Sequence, residues 1–179
     1  MRIFVSLCAV FFAFSLSASA QTPTPFRWDR YLFFAPGAGS VGDFSFGSNG
    51  RANIHVGAGG EAFIYKGLGV GAEIGPVIPW TAPGFSGGYR LSCCFGRLVG
   101  LGSANLSYHF LPNTADRKLE PFVVAGYSLF FRQGTWSGYN AGIGTNLWLK
   151  ENVGMRFELR HHSSWAYKSM GFGMGVTFR

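Results

Sequence analysis

The last twelve residues, Lys168-Ser-Met-Gly-Phe-Gly-Met-Gly-Val-Thr-Phe-Arg179, alternate between bulky apolar side chains and small ones. A two-residue period predicts a β-strand with one apolar face. The other face holds only glycine, serine and threonine, which are too small to fill a protein core. We therefore predict a strand in the wall of a closed barrel, with its bulky side chains in lipid and its small side chains in the lumen. The bulky residues are Met170, Phe172, Met174, Val176 and Phe178.

The composition of the chain agrees with such a barrel and excludes several other classes. The 179 residues suit one domain and include 27 glycines and 19 phenylalanines, with 17% aromatic and 13% charged residues. A soluble globular protein carries roughly 25% charged residues. The aromatic content is too high for a disordered chain, and the glycines keep no collagen-like period.

The first twenty residues have the pattern of an export signal. A positive start at Met1-Arg2 precedes an apolar run over 3–14, and Ala18-Ser19-Ala20 forms a small-x-small cleavage site. The apolar run is shorter than the ~20 residues that a spanning helix needs. We predict a signal peptide over 1–20 and a barrel domain over 21–179.

Alternation like that of the last strand recurs along the chain and predicts eight antiparallel strands in an up-and-down barrel. The first strand carries the aromatic residues Tyr31, Phe33 and Phe34, which we expect on the lipid-facing wall. Short turns and longer loops alternate between the strands, which places the longer loops on the outer side of the membrane. The predicted strands are 28–39, 52–65, 68–79, 94–110, 120–131, 139–149, 153–162 and 168–179, and the predicted outer loops are 41–51, 80–91, 132–138 and 162–167.

This layout resembles the OmpA-like family of eight-stranded outer-membrane β-barrels over the whole mature chain. The similarity includes an aromatic residue near the C-terminus, Phe178, although Arg179 follows it where the family usually ends in Phe. The resemblance implies residence in a Gram-negative outer membrane and assembly by the outer-membrane insertion machinery. We also expect the protein to be a monomer.

Charged residues collect on the parity that should face the lumen. Eight strands leave a lumen only wide enough for side chains to fill, so these charges should pair with one another. One interpretation is a plug that holds the barrel together and excludes water. The other is a narrow, gated pore. The predicted network comprises Glu61, Glu73, Arg97, Arg156, Glu158 and Arg160.

The outward ends of the strands carry bases beside aromatic residues. The bases are Arg51, Arg90, Arg132 and Lys168. Such a rim suits the phosphates and sugars of lipopolysaccharide, and it equally fits an ordinary aromatic girdle or a surface that binds host molecules. The formal charge of +7 fits anionic lipid better than nucleic acid, because the exported chain has no basic cluster.

The segment His161-His162-Ser163-Ser164 suggests an alternative function. Its His-x-Ser element is similar to that of the lipid A 3-O-deacylase (PagL) family, which also forms eight-stranded barrels. The resemblance implies His161 as the base and Ser163 as the nucleophile, both on the lipid-facing side. That family has Asn where this chain has Ser164, and its downstream glutamate has no counterpart in 165–179, which contains no Asp or Glu.

Other signatures of chemistry are absent from the sequence. It contains no phosphate loop, dinucleotide fingerprint, zinc pattern or calcium loop, so we expect neither a cofactor nor a metal. The adjacent Cys93 and Cys94 are interpreted as two small residues near a strand start. We predict a structural or surface-interaction barrel, with a lipid A deacylase-like hydrolase as the alternative. A lipocalin-like carrier would need an apolar interior, the reverse of strand 153–162.

Overall fold

The structure is a computed structural model and describes residues 27–41, 52–80, 98–110, 118–131, 134–164 and 167–179. Each strand pairs antiparallel with the next, and the last pairs with the first, so the sheet closes into an eight-stranded barrel. The predicted fold class is therefore confirmed. The strands are β1 (Arg27–Val41), β2 (Ala52–Tyr65), β3 (Leu68–Trp80), β4 (Val99–His109), β5 (Leu119–Phe131), β6 (Thr135–Lys150), β7 (Val153–Ser164) and β8 (Tyr167–Phe178).

The two ends of the barrel differ in how the strands are joined. At one end, β2 meets β3 through Lys66-Gly67 and β6 meets β7 through Glu151-Asn152. Gly67 has a φ of 83°, which favours glycine, and its carbonyl accepts a 2.8 Å bond from the amide of His109. This end, which also holds Arg27 and Arg179, is called the turn end, and the opposite end is called the loop end.

Several strands run further than the alternation predicted. β6 begins at Thr135, not at 139, and β7 continues to Ser164. The cause is continued pairing towards the loop end, where Trp136 pairs with Phe130 and Gly138 pairs with Ser164. The predicted loops 132–138 and 162–167 are correspondingly shorter. β4 is described from Val99, so the predicted start at 94, the signal peptide, Cys93 and Cys94 lie outside the described residues.

Alternate residues of each strand face the lumen and the exterior. On β8, Met170, Phe172 and the alternate residues that follow are well exposed, whereas Ser169 and Thr177 are buried. Large apolar side chains are exposed on all eight strands in the same way, among them Leu32, Ile64, Ile74, Leu106, Tyr127, Ile143, Leu159 and Phe172. The barrel is thus apolar outside and polar inside.

The first strand corrects part of the prediction. Phe34 is exposed as expected, but Tyr31 is buried and its hydroxyl donates a 3.3 Å hydrogen bond to Glu73 across the lumen. Phe33 packs edge-on against the ring of His55, with the centroids 4.8 Å apart. Tyr31 and Phe33 therefore belong to the lumen side of the wall.

The small residues of β8 differ in how much room surrounds them. A Cβ atom on Gly175 would overlap the carbonyl oxygen of Leu32 on β1, because the two strands approach closely there. A Cβ atom on Gly173 would meet its nearest atom at 3.6 Å, an ordinary van der Waals contact. Only one of these glycines is therefore required by the packing of the wall.

This difference predicts opposite behaviour of two matched substitutions. Gly175→Ala should lower the stability of the barrel by about 1–3 kcal/mol, because backbone atoms must move to accept the methyl group. Gly173→Ala should change stability by less than about 0.5 kcal/mol. Urea unfolding of both variants in lipid vesicles measures this, and equal midpoints would contradict the register of β1 and β8.

Candidate functional site

The centre of the lumen is occupied by three charged residues of β7. Arg156, Glu158 and Arg160 alternate along the strand, so all three side chains point inward and are buried. Glu158 lies between the two guanidinium groups: Arg156 Nε donates to its Oε2 at 3.2 Å, and Arg160 donates to its Oε1. The opposite charges thus pair along a single strand.

These residues also reach the far wall of the barrel. Arg160 donates a hydrogen bond to Glu73 of β3, and Arg156 Nη1 lies 3.7 Å from Glu61 Oε2 of β2. The guanidinium of Arg156 is held between two rings, 4.4 Å from the centroid of Tyr31 and 4.0 Å from that of Phe122. Ion pairs therefore cross the lumen from β7 to β2 and β3, and the structure brings together five of the six predicted residues. Arg97 lies outside the described residues.

A second charged cluster lies at the turn end around Glu120, which is fully buried. Its carboxylate accepts hydrogen bonds from Arg27 Nη2 at 2.9 Å, Trp148 Nε1 at 2.9 Å and Arg179 Nη2 at 3.0 Å. Asp29 accepts a bond from Arg27 Nε at 2.9 Å. We call Arg27, Asp29, Glu120, Trp148 and Arg179 the turn-end cluster.

Arg179 joins this cluster from beyond the last strand. Its guanidinium lies 3.8 Å from the centroid of the Trp148 ring. Burial lowers the pKa of the Arg179 guanidinium, and the charge of Arg27 lowers this pKa further, whereas Asp29 and Glu120 oppose the change. Arg179 is thus held at the barrel mouth by these contacts.

His109 links the turn-end cluster to the centre of the lumen. Its Nε2 lies 3.2 Å from Glu61 Oε1, and its Nδ1 lies 2.6 Å from Glu120 Oε1. Two carboxylates at these distances stabilise the positively charged form of the ring. The geometry therefore favours an imidazolium ion, stacked on Phe122 at a centroid distance of 5.1 Å.

The charges of the described lumen balance once His109 is counted. The ion pairs contain five acids and four arginines, and the imidazolium supplies the fifth positive charge. Buried ions are stable only when they are paired and hydrogen-bonded, so this balance is a condition for the filled lumen. The acids are Asp29, Glu61, Glu73, Glu120 and Glu158, and the arginines are Arg27, Arg156, Arg160 and Arg179.

Half of this network was not predicted from the sequence, because its members lie at strand ends. Asp29 and Glu120 stand two residues or fewer from the ends of β1 and β5, where alternation is too short to assign a face. Arg27 is likewise the first residue of β1, and Arg179 follows the last residue of β8. The sequence did contain one signal. The charge of Asp29 indicates that its face of β1, which also carries Tyr31, points into the lumen.

Towards the loop end the lumen is polar but uncharged. Ser128 Oγ receives a 2.9 Å hydrogen bond from Asn140 Nδ2 and lies 3.3 Å from His162 Nδ1. Asn53 donates a 2.9 Å bond to Ser169. A cavity of about 40 Å³ borders Asn53, His162 and Arg160, which is large enough to hold water.

Apolar side chains also pack together inside the lumen towards the loop end. They form one buried cluster, against which the half-buried Trp136 packs. The ring centroids of Phe130 and Tyr167 are 4.9 Å apart. We call Val77, Val99, Leu101, Phe130 and Tyr167 the apolar cap. Within the described part of the chain, no group of three or more His, Cys, Asp or Glu could hold a metal ion.

Of the four bases of the predicted rim, only Lys168 lies within the described residues. Lys168 is exposed at the start of β8, opposite Ser163 and near Tyr139, which is 62% exposed. Arg51, Arg90 and Arg132 lie outside the described residues.

The predicted catalytic pair does not form a dyad in the described structure. His161 is half-buried and Ser163 is only 6% exposed, although both were expected on the lipid-facing side. Ser163 stands between Tyr139 and Lys168 in the sheet, whose longer side chains can cover a serine. Among the hydrogen bonds of the described residues, none joins His161 to Ser163, so nothing orients the ring for proton transfer.

The central ion pairs predict that removal of the Glu158 charge strongly destabilises the barrel. Glu158→Gln keeps the size of the side chain but leaves Arg156 and Arg160 without the carboxylate between them, which should destabilise the barrel by about 3–5 kcal/mol. Glu151→Gln, in an exposed turn, is the matched control and should change stability by less than about 0.5 kcal/mol. Thermal unfolding in detergent micelles compares them, and equal melting temperatures would contradict the pairing.

No family model and no curated protein matches the chain, but solved structures do. Neisserial surface protein A aligns with a TM-score of 0.60 and 17% identity, over 88% of this chain and 99% of that one. The N-terminal β-barrel domain of Pseudomonas aeruginosa OprF gives 0.56 and 16%, over 84% and 96%. A de novo designed transmembrane β-barrel gives 0.51 and 12%, over 88% and 97%. The chain thus has the fold of eight-stranded outer-membrane barrels, and the predicted resemblance is confirmed at the level of the fold.

Proposed function

We propose that this protein is an outer-membrane β-barrel with a structural or surface-interaction role, which presents its loop end to the outside of the cell. The observation that carries the proposal is the distribution of polarity, which is the reverse of that in a water-soluble protein. The exterior of the barrel is apolar on every strand, and its lumen holds paired charges. An apolar exterior of this extent is stable in lipid but would aggregate in water.

The lumen supports a closed barrel over a pore. Arg160 reaches Glu73, Arg156 approaches Glu61, and Arg27 reaches Glu120, so side chains cross the lumen at three levels. The apolar cap adds a fourth layer near the loop end. Solutes would have to break several buried ion pairs to pass, so the interior serves the rigidity of the wall.

The loop end supports contact with lipopolysaccharide. Tyr139 of β6 and Lys168 of β8 are exposed on the exterior at the same level, on either side of Ser163 of β7, where a ring can sit in the interface and an ammonium group can meet a lipid A phosphate. Arg51, Arg90 and Arg132 would extend this rim if the loops carry them to the same level. We further propose a monomer, inserted by the outer-membrane insertion machinery.

A photo-crosslinking experiment tests both the location and the contact. Tyr139→benzoylphenylalanine places the reactive group beside Lys168, and Tyr108→benzoylphenylalanine places it near the turn end. Both tyrosines are exposed on the barrel exterior, so they are matched. Irradiation of intact Gram-negative cells should give a lipopolysaccharide adduct at position 139 and none at 108, detected by gel shift and immunoblot.

Two outcomes would overturn this proposal. Equal lipopolysaccharide adducts at both positions would contradict the orientation, and no adduct at 139 in correctly inserted protein would contradict the contact. Insertion is checked separately by the shifted electrophoretic migration of the unheated, folded barrel.

The geometry favours this role over lipid A hydrolysis. Ser163 is buried and makes no hydrogen bond to His161 in the described structure. We therefore expect lipid A of a host that expresses the protein to keep all its acyl chains, with the same mass spectrum for the His161→Ala variant. An acyl chain lost only when His161 is present would reverse this conclusion.

A further inference from the structure

Among the described residues, four exposed bases surround the turn end, and each stands beside a large exposed apolar residue of the outer wall. Arg30 lies between Trp28 and Leu32, which are 50% and 59% exposed. Lys66 follows Tyr65, and its Nζ lies 5.9 Å from the centroid of that ring. The pattern repeats twice more, at Lys118 before Leu119 and at Lys150 after Leu149.

These bases cover the circumference rather than one side. Arg30 belongs to β1, Lys66 to the turn between β2 and β3, Lys118 precedes β5, and Lys150 ends β6. We call them the turn-end collar. Each lies on the exterior within a few residues of the turn end of its strand, near the level that we expect for the lipid headgroups on that side of a membrane.

Acidic side chains do not neutralise the collar in the described part of the turn end. Asp29 and Glu120 are buried and are occupied by Arg27 and Arg179 inside the barrel. Glu151 is the one exposed acid among the described residues there. The described residues on the exterior of this end therefore carry more positive than negative charge, although the charges of the described lumen beside them are balanced.

From this arrangement we propose that the turn-end collar binds anionic glycerophospholipids, through their phosphate groups, in the leaflet that surrounds the turn end. This inference rests on the proposed membrane location. Lysine and arginine at a membrane surface attract negatively charged lipids, and the attraction weakens with salt. The neighbouring aliphatic and aromatic side chains hold the bases at headgroup depth, so each base has a lipid phosphate within reach.

The preference of the turn-end collar for anionic lipids is measured directly by lipid retention. The mature full-length protein is inserted into vesicles of phosphatidylglycerol and phosphatidylcholine in equal amounts with identical acyl chains, then extracted in mild detergent. Native mass spectrometry counts the lipids that remain bound. We expect phosphatidylglycerol to exceed phosphatidylcholine at least about threefold. The variant with Arg30→Gln, Lys66→Gln, Lys118→Gln and Lys150→Gln should retain both lipids nearly equally.

Two control variants separate the effect of charge from misfolding. Replacing Lys66, Lys118 and Lys150 by Arg keeps the charges and should keep the preference. Glu151→Gln removes the exposed acid and should strengthen it.

Retention of the two lipids in equal amounts by the unaltered protein would overturn the inference, as would an undiminished preference in the folded quadruple variant. The vesicles contain no lipopolysaccharide, and the crosslinking experiment probes the other end of the barrel. A missing phosphatidylglycerol preference beside a positive crosslink at position 139 would therefore refute the collar and leave the proposed function standing.

Discussion

Closure of the sheet is the constraint on which the rest of this molecule depends. A strand in lipid has no water to satisfy its backbone amides and carbonyls, so each strand needs a partner on both sides. Pairing of β1 with β8, from Arg30 opposite Phe178 to Val41 opposite Tyr167, supplies the last two edges. Once the wall is closed with eight strands, the lumen width is fixed and the side chains inside must fill it.

A lumen filled with ions is stable only if the charges are paired, a requirement that an apolar core does not have. Each buried charge loses its hydration, and only a nearby opposite charge with hydrogen bonds offsets the loss. Glu158 meets this condition with two arginines, and Glu120 meets it with Arg27, Arg179 and the indole of Trp148. His109 has to be an imidazolium for the balance to hold, which makes it part of the framework rather than an isolated polar residue.

The sequence predicted the fold wherever the two faces of a strand differ in size or polarity. β7 and β8 meet this condition, and their faces are as expected. β1 does not, because Tyr31 and Phe33 alternate with Leu32 and Phe34 and both rows are bulky. Pattern alone cannot choose between such rows, since the choice depends on what lies opposite in the lumen.

The site was predictable to a similar degree, for a related reason. Alternation assigned Glu61, Glu73, Arg156, Glu158 and Arg160 to the inside because each lies within a long strand. It gave no information on which acid would meet which base, because those pairs join strands far apart in the chain, such as β3 and β7. For the same reason, alternation did not predict the earlier start of β6 or the later end of β7, both of which depend on pairing with neighbouring strands.

The turn-end cluster has a consequence for how the barrel is assembled. Its members come from the beginning of β1, the beginning of β5, the end of β6 and the residue after β8. A chain with only its first five strands in place would hold Glu120 without Trp148 or Arg179. Unpaired buried charge is costly, so partial barrels are penalised and the complete one is favoured. The cluster thus makes folding more cooperative, because its full set of bonds forms only when the two ends of the barrel domain meet.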